Sequence, residues 1–158
     1  MAKELYPEAF MYGVDIDTKV LGIAKEKVIK RELDIYLDTY DGYILPYKDG
    51  TFDKVITSLV FHHLRREQKV VALLEIIRVL KSNGELHICD FGKPKNILMS
   101  AVSYLPRLLD GLDNTSDNYK GLMPTILKDT GFADIKENNI VCTIFGSLSY
   151  YSAKKASV

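Results

Sequence analysis

The chain has 158 residues, 47% of them hydrophobic and 27% charged, a composition of globular and not of disordered proteins. Lys+Arg and Asp+Glu each number 21, so no net field draws the chain to nucleic acid or to an anionic membrane. No apolar run reaches the roughly 20 residues that span a bilayer, and the first residues lack signal-peptide anatomy, which predicts one cytoplasmic domain.

Residues 2 to 6 read as the last turn or two of a helix, with Pro7 just beyond its end. Phe10 to Ile16 follows as a strand ending in acids. Asp17-Thr18 then supplies an N-cap for a helix over about 18–33, with Val20, Ala24 and Val28 on one face. A short strand at 34–39 leads into a loop from Tyr40 to Gly50, where Asp49-Gly50 carries turn chemistry. Phe52 to Leu59 is short, rich in β-branched residues and nearly free of charge, which predicts a strand covered on both faces in a parallel sheet. Ser58, His62 and His63 fall at or just beyond its carboxyl end, where open α/β sheets hold their ligands.

Arg65 to Lys81 gives the clearest helix signal, with Val70, Leu73, Leu74, Ile77 and Leu80 as its core stripe and Asn83-Gly84 as its stop. Glu85 to Phe91 reads as a strand ending at another acid, Asp90. Asn96 to Leu109 reads as a helix interrupted at Pro106, Asp110 to Asp117 as a polar loop, and Leu122 to Thr130 as a helix stopped by Gly131. Two strands at about 134–143 and 146–154 close the chain as an antiparallel hairpin around Phe145-Gly146. Alternating strands and helices predict an α/β, doubly wound, mostly parallel sheet with an antiparallel C-terminal hairpin. Cys89 and Cys142 sit in apolar runs and read as two buried free thiols, and no Cys, His, Asp and Glu set has zinc spacing, so no metal is expected.

Several of these pieces, in this order, resemble class I S-adenosylmethionine-dependent methyltransferases. They are Tyr12-Gly-Val-Asp-Ile-Asp17 running into a helix, Asp41-Gly42 before Leu45-Pro46-Tyr47, Gly50-Thr-Phe-Asp-Lys-Val55, and the strand closing on Ser58. Arg78-Val-Leu-Lys-Ser-Asn-Gly-Glu-Leu86 and the closing hairpin around Thr143-Ile-Phe-Gly146 extend the likeness to nearly the whole chain. The Leu-Pro-aromatic and Phe-Asp combination is closest to the small-molecule branch that includes ubiquinone/menaquinone methyltransferases. The resemblance implies a Rossmann-like fold, S-adenosylmethionine as cofactor and a small-molecule methyl acceptor. It also implies that Asp15 accepts the ribose hydroxyls, Ile16 packs on adenine, Asp41 and Gly42 meet the adenine edge, and Ser58 lies near the methionine moiety. Such a reaction asks the protein mainly to align the nucleophile with an already activated methyl carbon. The plainer reading of each residue stands beside this one: Asp15 and Asp17 as strand end and cap, Asp41-Gly42 as a turn, Ser58 as a hydroxyl satisfied in the core, and His62, His63 and His87 as packing residues.

The family's opening strand and its glycine-rich loop have no counterpart, since Gly13 is the first glycine and already stands in the second strand's position. The sequence therefore reads as an N-terminally truncated domain with impaired cofactor handling. Its alternative is a non-catalytic remnant that forms homo-oligomers through open strand edges. Either the strands at 10–16 and 52–59 pair directly, or another copy of the chain fills the gap, or the missing part is a separate piece; rearrangement with homo-oligomerisation is the arrangement this reading favours.

Overall fold

The structure is a computed structural model that describes residues 2–102 and 112–156. It divides into two compact units, Met1–Pro46 and Tyr47–Val158.

The first unit contains α1 (Ala2–Leu5), β1 (Met11–Asp15), α2 (Thr18–Lys30) and β2 (Ile35–Thr39). β1 and β2 pair in parallel, Met11 opposite Ile35 and Asp15 opposite Thr39. Asp17 caps α2 as its sequence predicts, its carboxylate accepting the Lys19 N–H at 2.7 Å. The half-buried face of α2 is Leu21, Ala24 and Val28, while Val20 is exposed. None of the described residues of this unit is fully buried, as befits a segment too short to enclose a core.

The second unit holds β3 (Phe52–Ser58), a one-turn 3₁₀ helix (Phe61–His63), α3 (Arg66–Val79), β4 (Leu80–Phe91) and α4 (Ile97–Val102). After these come α5 (Leu112–Tyr119), α6 (Met123–Asp129), β5 (Phe132–Thr143) and β6 (Gly146–Lys155). Its sheet runs in the order β3-β4-β6-β5, with β3 parallel to β4 and both flanks of β6 antiparallel. The core is Leu73, Ile76, Leu86, Met123, Leu127 and Phe132, drawn from α3, α6, β4 and β5, with their neighbours.

This architecture bears out the α/β class and the closing hairpin, with a mixed sheet in the second unit in which only β3 and β4 are parallel, and corrects several local expectations. β3 is an edge strand of its sheet and not a strand covered on both faces: Ile56 is 68% exposed. The helices of this unit pack on β4, β5 and β6, and β3 at the opposite edge keeps one face bare. β1 and β3 do not pair with each other; they belong to different sheets. On α3 the buried stripe is Lys69, Leu73, Ile76 and Val79, and Leu74 is exposed, so the apolar face is rotated from the predicted one. The polar run at 112–117 lies in α5, not in a loop, and the predicted helix over 96–109 is described only as far as Val102. Cys89 is half-buried and Cys142 exposed; they stand on β4 and β5, separated by β6 and offset along the strands, and so more than two strand spacings, roughly 10 Å, apart.

Candidate functional site

At the carboxyl end of the β1–β2 pair, four of the five residues assigned from sequence gather within the first unit. Asp15 is the last residue of β1, and its carboxylate accepts the N–H of Asp17 at 2.9 Å. Ile16 follows, exposed, and a Cβ added to Gly42 would lie 3.6 Å from its Cγ2. Gly42 holds φ at +88°, a left-handed conformation that favours glycine, so the loop after β2 comes close to Ile16 for a steric reason. Asp41 Oδ1 accepts two backbone N–H groups, Tyr43 at 2.8 Å and Ile44 at 2.9 Å, and these bonds pull its carboxyl pKa down. The turn reading of Asp41 is thus correct as far as it goes, yet a carboxylate with one oxygen committed keeps further acceptor sites. Tyr40, half-buried, has its phenol pushed up in pKa first by burial and then by the nearby carboxylates of Asp15 and Asp41. Two acceptors beside an exposed aliphatic side chain suit a ligand with vicinal hydroxyls and a flat apolar ring.

Ser58, the fifth residue, ends β3 in the second unit and is exposed. Leu59, next to it, has φ at +55°, an uncommon value for a branched side chain, and its N–H bonds the Cys89 carbonyl at 2.9 Å. The left-handed residue breaks the strand and starts the 3₁₀ turn that carries His62.

Here the structure shows a pair that the sequence reading left apart. Asp90, the acid near the end of β4, is fully buried. Its Oδ2 accepts the N–H groups of Phe61 (2.7 Å) and His62 (3.3 Å), and its Oδ1 accepts Phe91 N–H at 2.7 Å and meets His62 Nδ1 at 2.6 Å. A carboxylate so surrounded by donors takes Nδ1 as a further N–H donor, which fixes the ring's orientation. His62 also lies edge-on to Phe91 and packs on His63, their centroids 4.9 and 3.8 Å from its own. His62 is buried, so the packing reading of this histidine has the geometry on its side. His87 is part-exposed on β4 and pairs with Glu85 at 3.2 Å. The signal for the Asp90 pair in sequence was the recurrence of an acid at a strand's carboxyl end.

Lys69 was likewise missed. It is completely buried, donating to the carbonyls of Leu64 (2.6 Å) and Asn114 (2.8 Å), with Asp117 at 3.7 Å. Burial lowers its pKa against the opposing pull of Asp117. With the Arg66–Asp117 bond at 2.5 Å, it ties α3 to α5.

A family model described as a methyltransferase domain matches residues 1–88. A demethylmenaquinone methyltransferase of Lactobacillus johnsonii is 30% identical over 144 residues, covering 87% of this chain and 58% of that protein. A ubiquinone/menaquinone biosynthesis C-methyltransferase, UbiE, of Cellvibrio japonicus is 28% identical over 146 residues, covering 80% of this chain and 58% of that protein. The chain therefore spans somewhat over half the length of these curated relatives. A SAM-dependent methyltransferase from Methanosarcina mazei superposes with a TM-score of 0.74 at 17% identity, over 98% of this chain and 86% of that one, a likeness of fold. The chain belongs to the methyltransferase domain family, in the class I S-adenosylmethionine-dependent branch that includes the ubiquinone/menaquinone methyltransferases.

Proposed function

We propose that the chain holds the nucleoside moiety of S-adenosylmethionine at the carboxyl edge of β1 and β2 and serves methyl transfer to a small-molecule acceptor of the quinone-precursor class. The observation that carries this reading is the gathering of Asp15, Ile16, Asp41 and Gly42 at one strand-end, the edge at which open α/β sheets bind ligands. Asp15 would accept the ribose hydroxyls, Ile16 would cover one face of adenine, and Asp41 with Gly42 would border its amino edge. The bound cofactor supplies a methyl group on a sulfonium, so the chain's own task is to orient it and keep water away. The acceptor class is supported by the printed names of the two curated relatives.

Calorimetric titration with S-adenosylhomocysteine tests the reading. The expected result is a saturable heat with the wild-type chain that Asp15→Ala abolishes. A wild-type chain that gives no heat, or an Asp15→Ala variant that binds equally well, overturns it. A strong wild-type signal would at the same time remove the expectation that the chain handles its cofactor poorly.

A second reading, association of copies through an open strand edge, is favoured by Ile56, an apolar side chain left bare on edge strand β3. It predicts a dimer or larger species on a sizing column that Ile56→Lys returns to monomer. Monomeric wild-type protein at high concentration rules it out.

A further inference from the structure

The turn of the β5–β6 hairpin breaks a local rule of sequence. Two-residue hairpin turns are dominated by Gly, Asn and Asp, which tolerate the backbone or satisfy it with their side chains. Here the two turn residues are Ile144 and Phe145, and they are 82% and 58% exposed. The turn is held by its neighbours instead. The Thr143 hydroxyl accepts the Phe145 N–H at 3.1 Å and donates to the Gly146 carbonyl at 2.8 Å, while Gly146 takes the left-handed φ of +132°. The framework thus fixes the backbone and leaves two large apolar side chains pointing outward. Departures of this kind from local preference are expected where function sets the residue.

A second segment stands beside this tip. The N–H of Gly92 bonds the Ser147 carbonyl at 3.0 Å, the N–H of Lys95 meets Ser147 Oγ at 3.3 Å, and α4 packs against β6. Ser147 is two residues from Phe145, about 7 Å along a strand. This segment adds Ile97, 90% exposed at the start of α4, and the exposed lysines Lys93 and Lys95. Lys93 lies against the turn after α5, where a Cβ on Gly121 would come within 3.3 Å of its own, so the exposed Lys120 borders the same end of the sheet. Residues 91–102 and 138–149 contain no Asp or Glu at all.

We infer that this end of the sheet is an interfacial contact for an anionic lipid surface, with Ile144, Phe145 and Ile97 entering the boundary layer and Lys93, Lys95 and Lys120 meeting the headgroups. Apolar side chains flanked by lysines are the combination that such a surface rewards, through area and charge together. The balanced charge of the whole chain sets up no long-range field, and on that ground the sequence excludes a membrane partner. The contact described here is local, and local charge is what counts within a Debye length. No helix of the described residues is long and apolar enough to cross a membrane, so the contact is with the surface. The inference does not depend on cofactor binding.

Flotation of the wild-type chain with phosphatidylcholine vesicles, and with vesicles containing phosphatidylglycerol, tests it. The expected result is preferential binding to the anionic vesicles. Ile144→Ser with Phe145→Ser should weaken binding at least about tenfold, given the apolar area withdrawn. Lys93→Gln with Lys95→Gln should remove the preference for anionic over neutral vesicles. All four positions are exposed, and an unchanged melting temperature for each variant shows that the fold is intact. Absence of wild-type flotation with anionic vesicles overturns the inference, and so does binding that survives the loss of Ile144 and Phe145. If the tip variant instead abolishes self-association on a sizing column while vesicles are ignored, the occupant is a second copy and the lipid assignment is wrong.

Discussion

Removing the Asp90 carboxylate is the sharpest test of how the end of β4 is built. The residue is fully buried and four N–H groups converge on it: Phe61, His62 and Phe91 from the backbone, and the His62 ring. Phe61 and His62 are themselves buried, so in Asp90→Ala their donors lose a partner where water cannot replace it. Each stranded buried donor costs about 1–3 kcal/mol. The bond at 3.3 Å is weak and the 3₁₀ turn can relax, so a net loss of about 4 kcal/mol is expected. Asp90→Asn keeps one acceptor oxygen and should lose about half as much. Urea denaturation followed by circular dichroism reads the difference directly, and an unchanged slope would show that only stability moved. For comparison, Glu85→Gln removes the charge that pairs with exposed Lys54 and part-exposed His87 and should shift the midpoint far less than Asp90→Ala does. An Asp90→Ala variant destabilised by less than about 1 kcal/mol would refute the reasoning, because the donors would then have other partners.

Burial holds the Tyr151 phenol up at about 12, with Glu137 and Asp90 adding to the shift, whereas the unfolded chain titrates near 10.0. The folded state therefore keeps a proton that the unfolded state has lost, stability falls as pH rises from about 10 to about 12, and Tyr151→Phe should flatten that part of the melting-temperature profile. Gly92→Ala would put a Cβ 2.0 Å from Ser149 Oγ and 2.7 Å from its Cβ, so a loss of about 1–3 kcal/mol is expected in a denaturant melt. Adding Ser149→Gly should recover part of that loss, and a double variant that is merely additive would show that the two side chains do not meet. Lys69→Met removes the ammonium that donates to the carbonyls of Leu64 and Asn114 and should loosen α5, seen as faster amide exchange at Asn118 and Tyr119 than at Leu86.

Much of this fold was legible because its signals are local. The cap at Asp17, the stop at Gly131 with φ at +100°, and the paired β-rich runs that became β5 and β6 each act over a few residues. What failed was set by partners distant in sequence. Leu112–Tyr119 is a run of Asn, Asp, Ser and Thr with poor helix propensity, and it reads as loop until Lys69 and Arg66 are seen reaching across from α3. The same contacts rotate the buried face of α3. A stripe assembled from apolar residues alone passes over a lysine, yet Lys69 is among the most buried side chains because two carbonyls and a carboxylate stand ready for its ammonium.

The candidate site divides along the same line. Asp15, Ile16, Asp41 and Gly42 follow strands or loops of the first unit, and their sequence positions alone put them at the carboxyl ends of two neighbouring parallel strands. Parallel pairing guarantees that two such ends lie side by side, so reading the site required only the right order of strands. The Asp90–His62 pair obeys the same rule in the second unit: Ser58 lies opposite Cys89 in the parallel β3–β4 register, so whatever follows Ser58 must meet whatever follows Cys89. Burial was the part that pattern could not supply. Asp15 is half-buried and Asp41 exposed, and each keeps acceptor capacity that its own chain does not use, whereas Asp90 is fully buried and spends both oxygens on its own chain. An acid at a strand's carboxyl end is therefore a site candidate in the first unit and a structural anchor in the second, and the difference lies in how many backbone donors reach it.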